Sequence, residues 1–349
     1  MARIALDAMG GDFAPRATVA GALYALQELD HSHSVQLVGR TSVIEGELDA
    51  LLAGELAALA AQRERIEVVE APDVVEMSDK PTAVLKRPNC SMAVGIRLQV
   101  EGRSDAFVSA GNTGAQMAAS TMLLKLHGSL KRPAIGTVFP TAQQPVVVLD
   151  SGANVDCSPE ELVSFARIGA VYAEDLLGRK NPSIGLLSIG EEPEKGNAVV
   201  KEANQLLRDS GLNFQGNVEG RDIPHGASDA GPIDVVVCDG FVGNVLLKFY
   251  EALAPVLIGM VADGAGIERE KLVSAFKHLD YSEHGGAPLL GVRGVSIISH
   301  GKSSPRAIKN AIDFARRAVE SRMSEHIGRR LAEAAPALVG DAAPKAGGA

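Results

Sequence analysis

Tryptophan is absent from the chain, and aromatic residues make up only 4% of its 349 positions. Any pocket for an apolar ligand is therefore walled by the abundant Ala, Val, Leu and Gly. Cysteine is equally scarce. Cys90, Cys157 and Cys238 are odd in number and lack Cys-x-x-Cys spacing, which excludes a disulfide framework and gives no zinc signature. They read as reduced thiols of a cytosolic protein. Basic charge is also in deficit. With 34 Lys and Arg against 43 Asp and Glu, the net charge of −9 argues against a nucleic-acid binder, which needs a basic surface to neutralise phosphates.

Acidic residues interrupt the first dozen positions and no apolar h-region precedes a small-residue cleavage site, so no signal peptide is expected. The apolar run from Ala252 to Ala262 covers about half of the roughly 20 residues that a spanning helix needs. Pro255 interrupts it, and no membrane crossing is expected. Nucleotide signatures are missing as well. No Gly-x-Gly-x-x-Gly follows the first apolar run, and Gly301-Lys302-Ser303 lacks the glycine five positions earlier that a Walker-type loop requires. ATP and NAD are thereby disfavoured, and a small anion such as inorganic phosphate is favoured.

What the chain does have is alternation. Short apolar runs at 2–6, 35–38, 66–69, 106–109, 184–188, 213–216, 235–238 and 295–298 read as strands. Helical patterns at 17–29, 43–60, 91–100, 116–126, 159–177, 197–208, 269–276 and 305–322 separate most of them. Strands separated by helices of this length imply parallel βαβ units, hence an α/β protein with three α/β/α layers and a mostly parallel sheet. Between Arg132 and Val155 the helical period disappears. The runs 134–139 and 146–149 there read as neighbouring antiparallel strands. Two lobes around a cleft are expected within residues 1–333, with a central segment of about 115–285 forming the second lobe, and an Ala/Pro/Gly-rich tail at 334–349 is expected to be disordered.

Polar and glycine residues concentrate at the predicted strand ends. The loop at 7–12 holds Gly10, Gly11 and Asp12, and the one at 109–114 holds Ser109, Gly111, Asn112, Thr113 and Gly114. Asn154 and Asp156 lie in the loop at 150–159, and Lys195 in the one at 190–197. Asp239, Gly240, Gly243 and Asn244 open a helix after the run 235–238, and His300 and Gly301 follow the run 295–298. Segments 105–111 and 234–240 share their spacing, strand to glycine turn to helix. Two readings fit such a turn: a helix N-terminus that holds an anion, or tight packing and capping. Ser158 before Pro159-Glu160-Glu161 reads as a helix cap, with Asp150 as a turn former and Asp156 as a dipole partner. Lys195 fits either a site or a solvated charged loop, and His300 either a site or a strand terminus.

The chain resembles the bacterial phosphate acyltransferases of phospholipid synthesis. The resemblance rests on IALDAMGGDFAP, SAGNTGA, RPAIGT, LDSGANVDCSPEEL, GLLSIGEEPEKGN, NFQGNVEGRD, DVVVCDGFVGNVLLK, GGAPLLGV and HGKS with AIKNAI, in order from the first strand to the last helix. It implies a fold like that of isocitrate and isopropylmalate dehydrogenases and phosphotransacetylases. It also implies a homodimer, neither metal nor organic cofactor, and peripheral association with the inner face of the cell membrane. The implied reaction moves a long-chain acyl group from acyl carrier protein to inorganic phosphate, and the acyl phosphate passes to a membrane glycerol-3-phosphate acyltransferase. Lys195 and Asn244 are the implied catalytic positions. An acidic enzyme meeting an acidic carrier needs a local basic surface, for which Arg306 and Lys309 on the last helix are the candidates.

Overall fold

The computed structural model describes residues 1–128, 130–265, 271–272 and 285–334. The strands in chain order are β1 (Arg3–Asp7), β2 (Ser34–Gly39), β3 (Ile66–Glu70), β4 (Ala106–Ser109), β5 (Ala134–Ile135), β6 (Thr137–Phe139) and β7 (Val146–Leu149). They continue with β8 (Ile184–Leu187), β9 (Phe214–Val218), β10 (Ala227–Ser228), β11 (Gly231–Pro232), β12 (Val235–Val237), β13 (Ala287–Leu290) and β14 (Ser296–Ile298). The helices are α1 (Arg16–Glu28), α2 (Thr41–Ala53), α3 (Ala83–Lys86), α4 (Ser91–Val100), α5 (Thr113–Leu123) and α6 (Pro159–Leu177). After them come α7 (Ala198–Arg208), α8 (Asp222–His225), α9 (Gly240–Ala265), α10 (Pro305–Glu320) and α11 (Met323–Ala334).

Two larger sheets carry the fold. One runs β3-β2-β1-β4-β14-β13-β5 and the other β6-β7-β12-β8-β9, while β10 and β11 form a small hairpin. Within the two larger sheets pairing is parallel except for β13 with β14 and β5, and β6 with β7. The interior strands β4, β7 and β12 are buried along their whole length. Helices cover parallel sheets on both faces, so such strands need apolar residues on both. On the first sheet, α1 packs closely on α10 because Gly21 brings its backbone to Ile308; a Cβ at Gly21 would stand 2.6 Å from Ile308 Cβ. Gly169 does the same for α6 against Val235 of β12. Tyr172, Phe165 and Phe314 fill one continuous core with both helices, each such side chain contributing about 1.5–3 kcal/mol.

Local chemistry sets the helix limits. Ser158 Oγ accepts from Glu161 N while Glu161 Oε2 accepts from Ser158 N at 2.8 Å, Pro159 occupies the first turn, and α6 ends at left-handed Gly178. The expected helix over 43–60 is shorter: α2 stops at Gly54, and a 3-10 helix spans Ala57–Arg65. The run 134–139 is not one strand, because Gly136 divides it between the two sheets. The expected antiparallel partner of 146–149 is therefore only β6. At the C-terminal end α10 stops before Arg322, whose φ of 54° is left-handed, and α11 continues the fold to Ala334. The remaining tail, 335–349, lies outside the described residues, as does all but 271–272 of the helix expected at 269–276.

Pro255 does not break the apolar run as expected. Helix α9 continues through it for 26 residues, and the stretch Gly240–Ala262, with mean hydropathy 1.8, is long and apolar enough to cross a membrane by length and composition. Phe241, Val245, Phe249, Val256 and Met260 stand exposed along it. The carbonyl that Pro255 leaves without a helical donor belongs to Glu251, a residue that lines a cleft.

Candidate active site

A cavity of about 420 Å³ opens where the loops of the two sheets face each other. Asp12, Thr113, His300, Gly301 and Lys302 line it from the first sheet, and Gly152 and Asn244 from the second. Strand C-termini and helix N-termini meet here, as ligand sites of open α/β folds do.

Two buried aspartates hold the walls, one per sheet. Asp7, at the end of β1, accepts hydrogen bonds from Ser109 Oγ at 2.8 Å and Met9 N at 3.2 Å. Burial pushes its carboxyl above the usual range, against the opposing pull of those donors. Gly10 is required there: a Cβ would stand 2.6 Å from Asp7 Oδ2 and 2.8 Å from Gly111 N. Gly11, at φ +105°, then turns the chain so that Asp12 N donates to Gly301 O at 2.7 Å. Asn112 caps α5 by accepting from Ala115 N, and its amide donates to the carbonyls of Glu76, Met77 and Asp79. Gly114 makes room for Pro81.

Asp150, after β7, plays the same part in the other wall. Its carboxylate accepts from the backbone N–H groups of Ile135, Gly152, Ala153 and Asn154 and from Asn154 Nδ2, at 2.7–3.2 Å. Burial again raises its pKa against these donors. Asn154 also donates to Pro133 O, so its side chain is occupied within the wall. The start of α9 lies directly on this loop. A Cβ at Gly240 would come 2.7 Å from Asn154 O, and one at Gly243 would come 1.9 Å from Asp150 O. Asp239 Oδ1 accepts from Val242 N, capping the helix, and Asn244 is delivered to the cleft one residue beyond Gly243. Gly10, Gly240 and Gly243 thus face protein backbone, and Gly111 faces the side chains of Ser109, Asp7 and Met92: at these positions the packing reading describes the contacts.

The expected residues fall into three groups. Asp12, Thr113, Asn244, His300 and Gly301 line the cleft. Gly10, Gly11, Ser109, Gly111, Asn112, Gly114, Asn154, Gly240 and Gly243 build the walls behind it. Asp156 and Asp239 border a second depression of about 610 Å³ together with Gly196 and Asn197. Lys195, exposed on the loop between β8 and α7, is not among the residues lining the cleft. Sequence reasoning missed the two aspartates and the cleft-lining Thr137, Ser151, Ser299 and Lys302, although RPAIGT, DSGAN and SHGKS contained five of these six. Nothing in composition separates Asp150 from an ordinary turn aspartate until its five donors are seen.

The cleft has one conspicuous cation. Lys248 is paired with Glu251 at 2.8 Å, whereas Lys302 has no ion-pair partner among the described residues. His300 Nδ1 accepts from Lys302 N, which ties the two residues into one turn. Of the two basic candidates on α10, Lys309 is bound to Glu28 at 2.7 Å; farther along the helix Arg316 and Arg317 both pair with Asp313. Cys157 beside the second depression is pushed up to about 12 by burial and by neighbouring carboxylates, and Cys238 is also raised. Neither is a thiolate at neutral pH. No group of three or more His, Cys, Asp or Glu side chains placed to hold a metal occurs among the described residues.

Comparison with known proteins gives this geometry a context. Residues 2–326 match the family model described as fatty acid synthesis protein. A phosphate acyltransferase of Desulforamulus reducens is 48% identical over 330 residues, covering 92% of this chain and 94% of its own. One of Heliobacterium modesticaldum is 46% identical over 340 residues, covering 93% and 97%. Among solved structures, a phosphotransacetylase from Streptococcus pyogenes shares the fold with a TM-score of 0.60 at 15% identity, covering 93% of this chain and 94% of its own. A branched-chain phosphotransacylase from Enterococcus faecalis does so at 0.57 and 16%, covering 91% and 99%.

Proposed function

Because the chain belongs to the fatty acid synthesis protein family, whose curated relatives are phosphate acyltransferases, it is an acyltransferase using phosphate, and we propose that its donor is a long-chain acyl group on acyl carrier protein. The product is an acyl phosphate, passed to a membrane glycerol-3-phosphate acyltransferase for phospholipid synthesis. The observation that carries this reading is the cleft itself: an amide at the start of α9 faces a loop bearing a lysine with no ion-pair partner among the described residues, with room between them for a small anion.

Phosphate near neutral pH is largely dianionic, its second pKa lying near that of phosphate monoesters at about 6. One of its oxygens attacks the thioester carbonyl carbon, the carbonyl electrons move to oxygen, and collapse of the tetrahedral intermediate breaks the C–S bond. The sulfur leaves as a thiolate of ordinary pKa about 8.5 and then takes a proton from solvent or a nearby acid. Neither partner needs strong acid or base help, so the protein's task is to position the two and to stabilise the oxyanion. Asn244 is placed to donate to phosphate or to that oxyanion, with Lys302 supplying positive charge. No metal or organic cofactor enters this scheme.

Lys195 is proposed to neutralise phosphate or protonate the departing sulfur. Since it stands outside the cleft lining, that role requires its loop to move or a second chain of the proposed homodimer to supply it. Heterodimers of Lys195→Ala and Asn244→Ala chains separate these cases: activity returns only where the site draws on both chains. Carrier docking is proposed at Arg306 and Lys309 of α10, with Lys302 at the cleft mouth; an acidic carrier would compete with Glu28 for Lys309. The exposed stripe of α9 supplies the apolar surface that homodimerisation and peripheral membrane association both require.

The deciding experiment is incubation with palmitoyl-carrier protein, with and without inorganic phosphate, trapping acyl phosphate as its hydroxamate. Product only with phosphate supports the reading. Nicotinamide reduction, or acyl binding without turnover, would replace it with a dehydrogenase or a scaffold.

A further inference from the structure

Two hydroxyl groups in the cleft have no hydrogen-bond partner among the described residues. Thr137 on β6 and Ser299 just after β14 are 8% and 6% exposed, and neither Thr137 Oγ1 nor Ser299 Oγ finds a donor or acceptor among the described residues. Both border the cavity that Asn244 and Lys302 share. A buried hydroxyl without a partner is costly, and folded proteins avoid it unless something else completes the bond.

The two groups come from opposite sheets. Thr137 is held by its register opposite Val148 in the second sheet, and Ser299 by its N–H donation to Ser109 O in the first. Gly286, at φ +85°, lies against Ser299, where a Cβ would stand 3.2 Å from Oγ and crowd it. Backbone on both sides is thus fixed while the hydroxyls remain unspent.

We propose that Thr137 and Ser299 are phosphate-binding residues, one from each lobe, that donate their hydroxyl protons to oxygens of the acceptor anion. The inference rests on the functional reading above and specifies where its phosphate sits. A tetrahedral dianion offers several acceptor oxygens in different directions, which suits donors arriving from two walls. Lys302, three residues beyond Ser299 and without an ion-pair partner among the described residues, adds the charge that such an anion requires.

The test uses the full-length protein with Thr137→Val, Thr137→Ser and Ser299→Ala. Hydrogen bonds from neutral donors to a charged group correspond to losses of roughly 10- to 100-fold when removed. Thr137→Val and Ser299→Ala should each raise the KM for phosphate by about that factor and shrink the rise in Tm that inorganic phosphate produces. The KM for the acyl donor should stay within about twofold, and Thr137→Ser should restore phosphate binding. Because neither hydroxyl has a partner among the described residues, Tm without phosphate should not fall in Thr137→Val, which guards against misfolding as the cause. An unchanged phosphate KM and an unchanged phosphate-induced Tm rise in both variants would overturn the inference. So would a loss confined to kcat, which would put the hydroxyls on the thioester oxygen. A wild-type protein with neither response to phosphate would overturn the functional reading together with this one.

Discussion

Gly243→Ala tests how the cleft is built. The added methyl would lie 1.9 Å from Asp150 O and 2.9 Å from Asp150 C, both backbone atoms pinned by the carboxylate network of Asp150. No side chain can rotate away to relieve this contact. Overpacking of this kind costs roughly 1–3 kcal/mol, and a rigid backbone neighbour places it near the upper end. Alanine in a helix returns up to about 1 kcal/mol relative to glycine, leaving a net loss of roughly 2 kcal/mol. With about 2.1 cal/mol/K of unfolding entropy per residue, that lowers Tm by about 3 °C for a chain of 349 residues. Activity should suffer more than stability. Asn244 is the next residue, and a displacement of the order of 1 Å costs about 10²-fold in turnover. Gly46→Ala in α2, where a Cβ meets nothing within 4 Å, is the control and should gain up to about 1 kcal/mol. Calorimetry and phosphate-dependent thiol release read both effects. A Gly243→Ala protein with wild-type Tm and turnover would refute the claim that α9 is seated on the Asp150 carbonyl.

Removing the amide in Asn244→Ala should lower turnover by about 10²-fold or more with Tm unchanged, measured by hydroxamate trapping. His127 is held below its ordinary pKa by burial, with Arg293 adding to the effect, while its Nε2 lies 2.9 Å from Ser324 Oγ. The unfolded chain therefore binds more protons at this site, so its stabilising contribution is present above about pH 6.5 and is lost as pH falls below that value. Denaturant midpoints measured from pH 7.5 to 5 should fall, and His127→Gln should flatten the slope. With its pKa near 12, Cys157 should react with iodoacetamide at pH 8 roughly 10³-fold more slowly than a free thiol, a rate readable by peptide mass spectrometry. Charge reversal at Arg306 should raise the KM for the carrier protein and leave that for phosphate unchanged.

Most strands and helices were legible in the sequence because each buried strand is a short doubly apolar run and each major helix keeps its period. The misses have local causes. Pro288 and the paired left-handed Gly285 and Gly286 hid β13, an antiparallel strand between two others. Gly54 ended α2 inside an otherwise continuous pattern, and Gly136 split what reads as a single strand. For the site, the loops that gather at the cleft were visible as clusters of polar residues at strand ends. Their division of labour was not. Whether a glycine admits a ligand or a neighbouring carbonyl depends on contacts between segments about 90 residues apart, such as Asp150 with Gly243. Spacing along the chain carries no information about those contacts.

The split at Gly136 also has a mechanical side. Ile135 is bonded into one sheet through Leu289, and Thr137 into the other through Val148, so at this crossing a single residue joins the two sheets. A side chain at that residue would meet Leu290 and Tyr172, leaving no slack around the join. Torsion at this residue would turn β5 and β6 against each other. Such torsion would change the separation of Thr137 from Ser299, so an anion gripped by both hydroxyls would resist it.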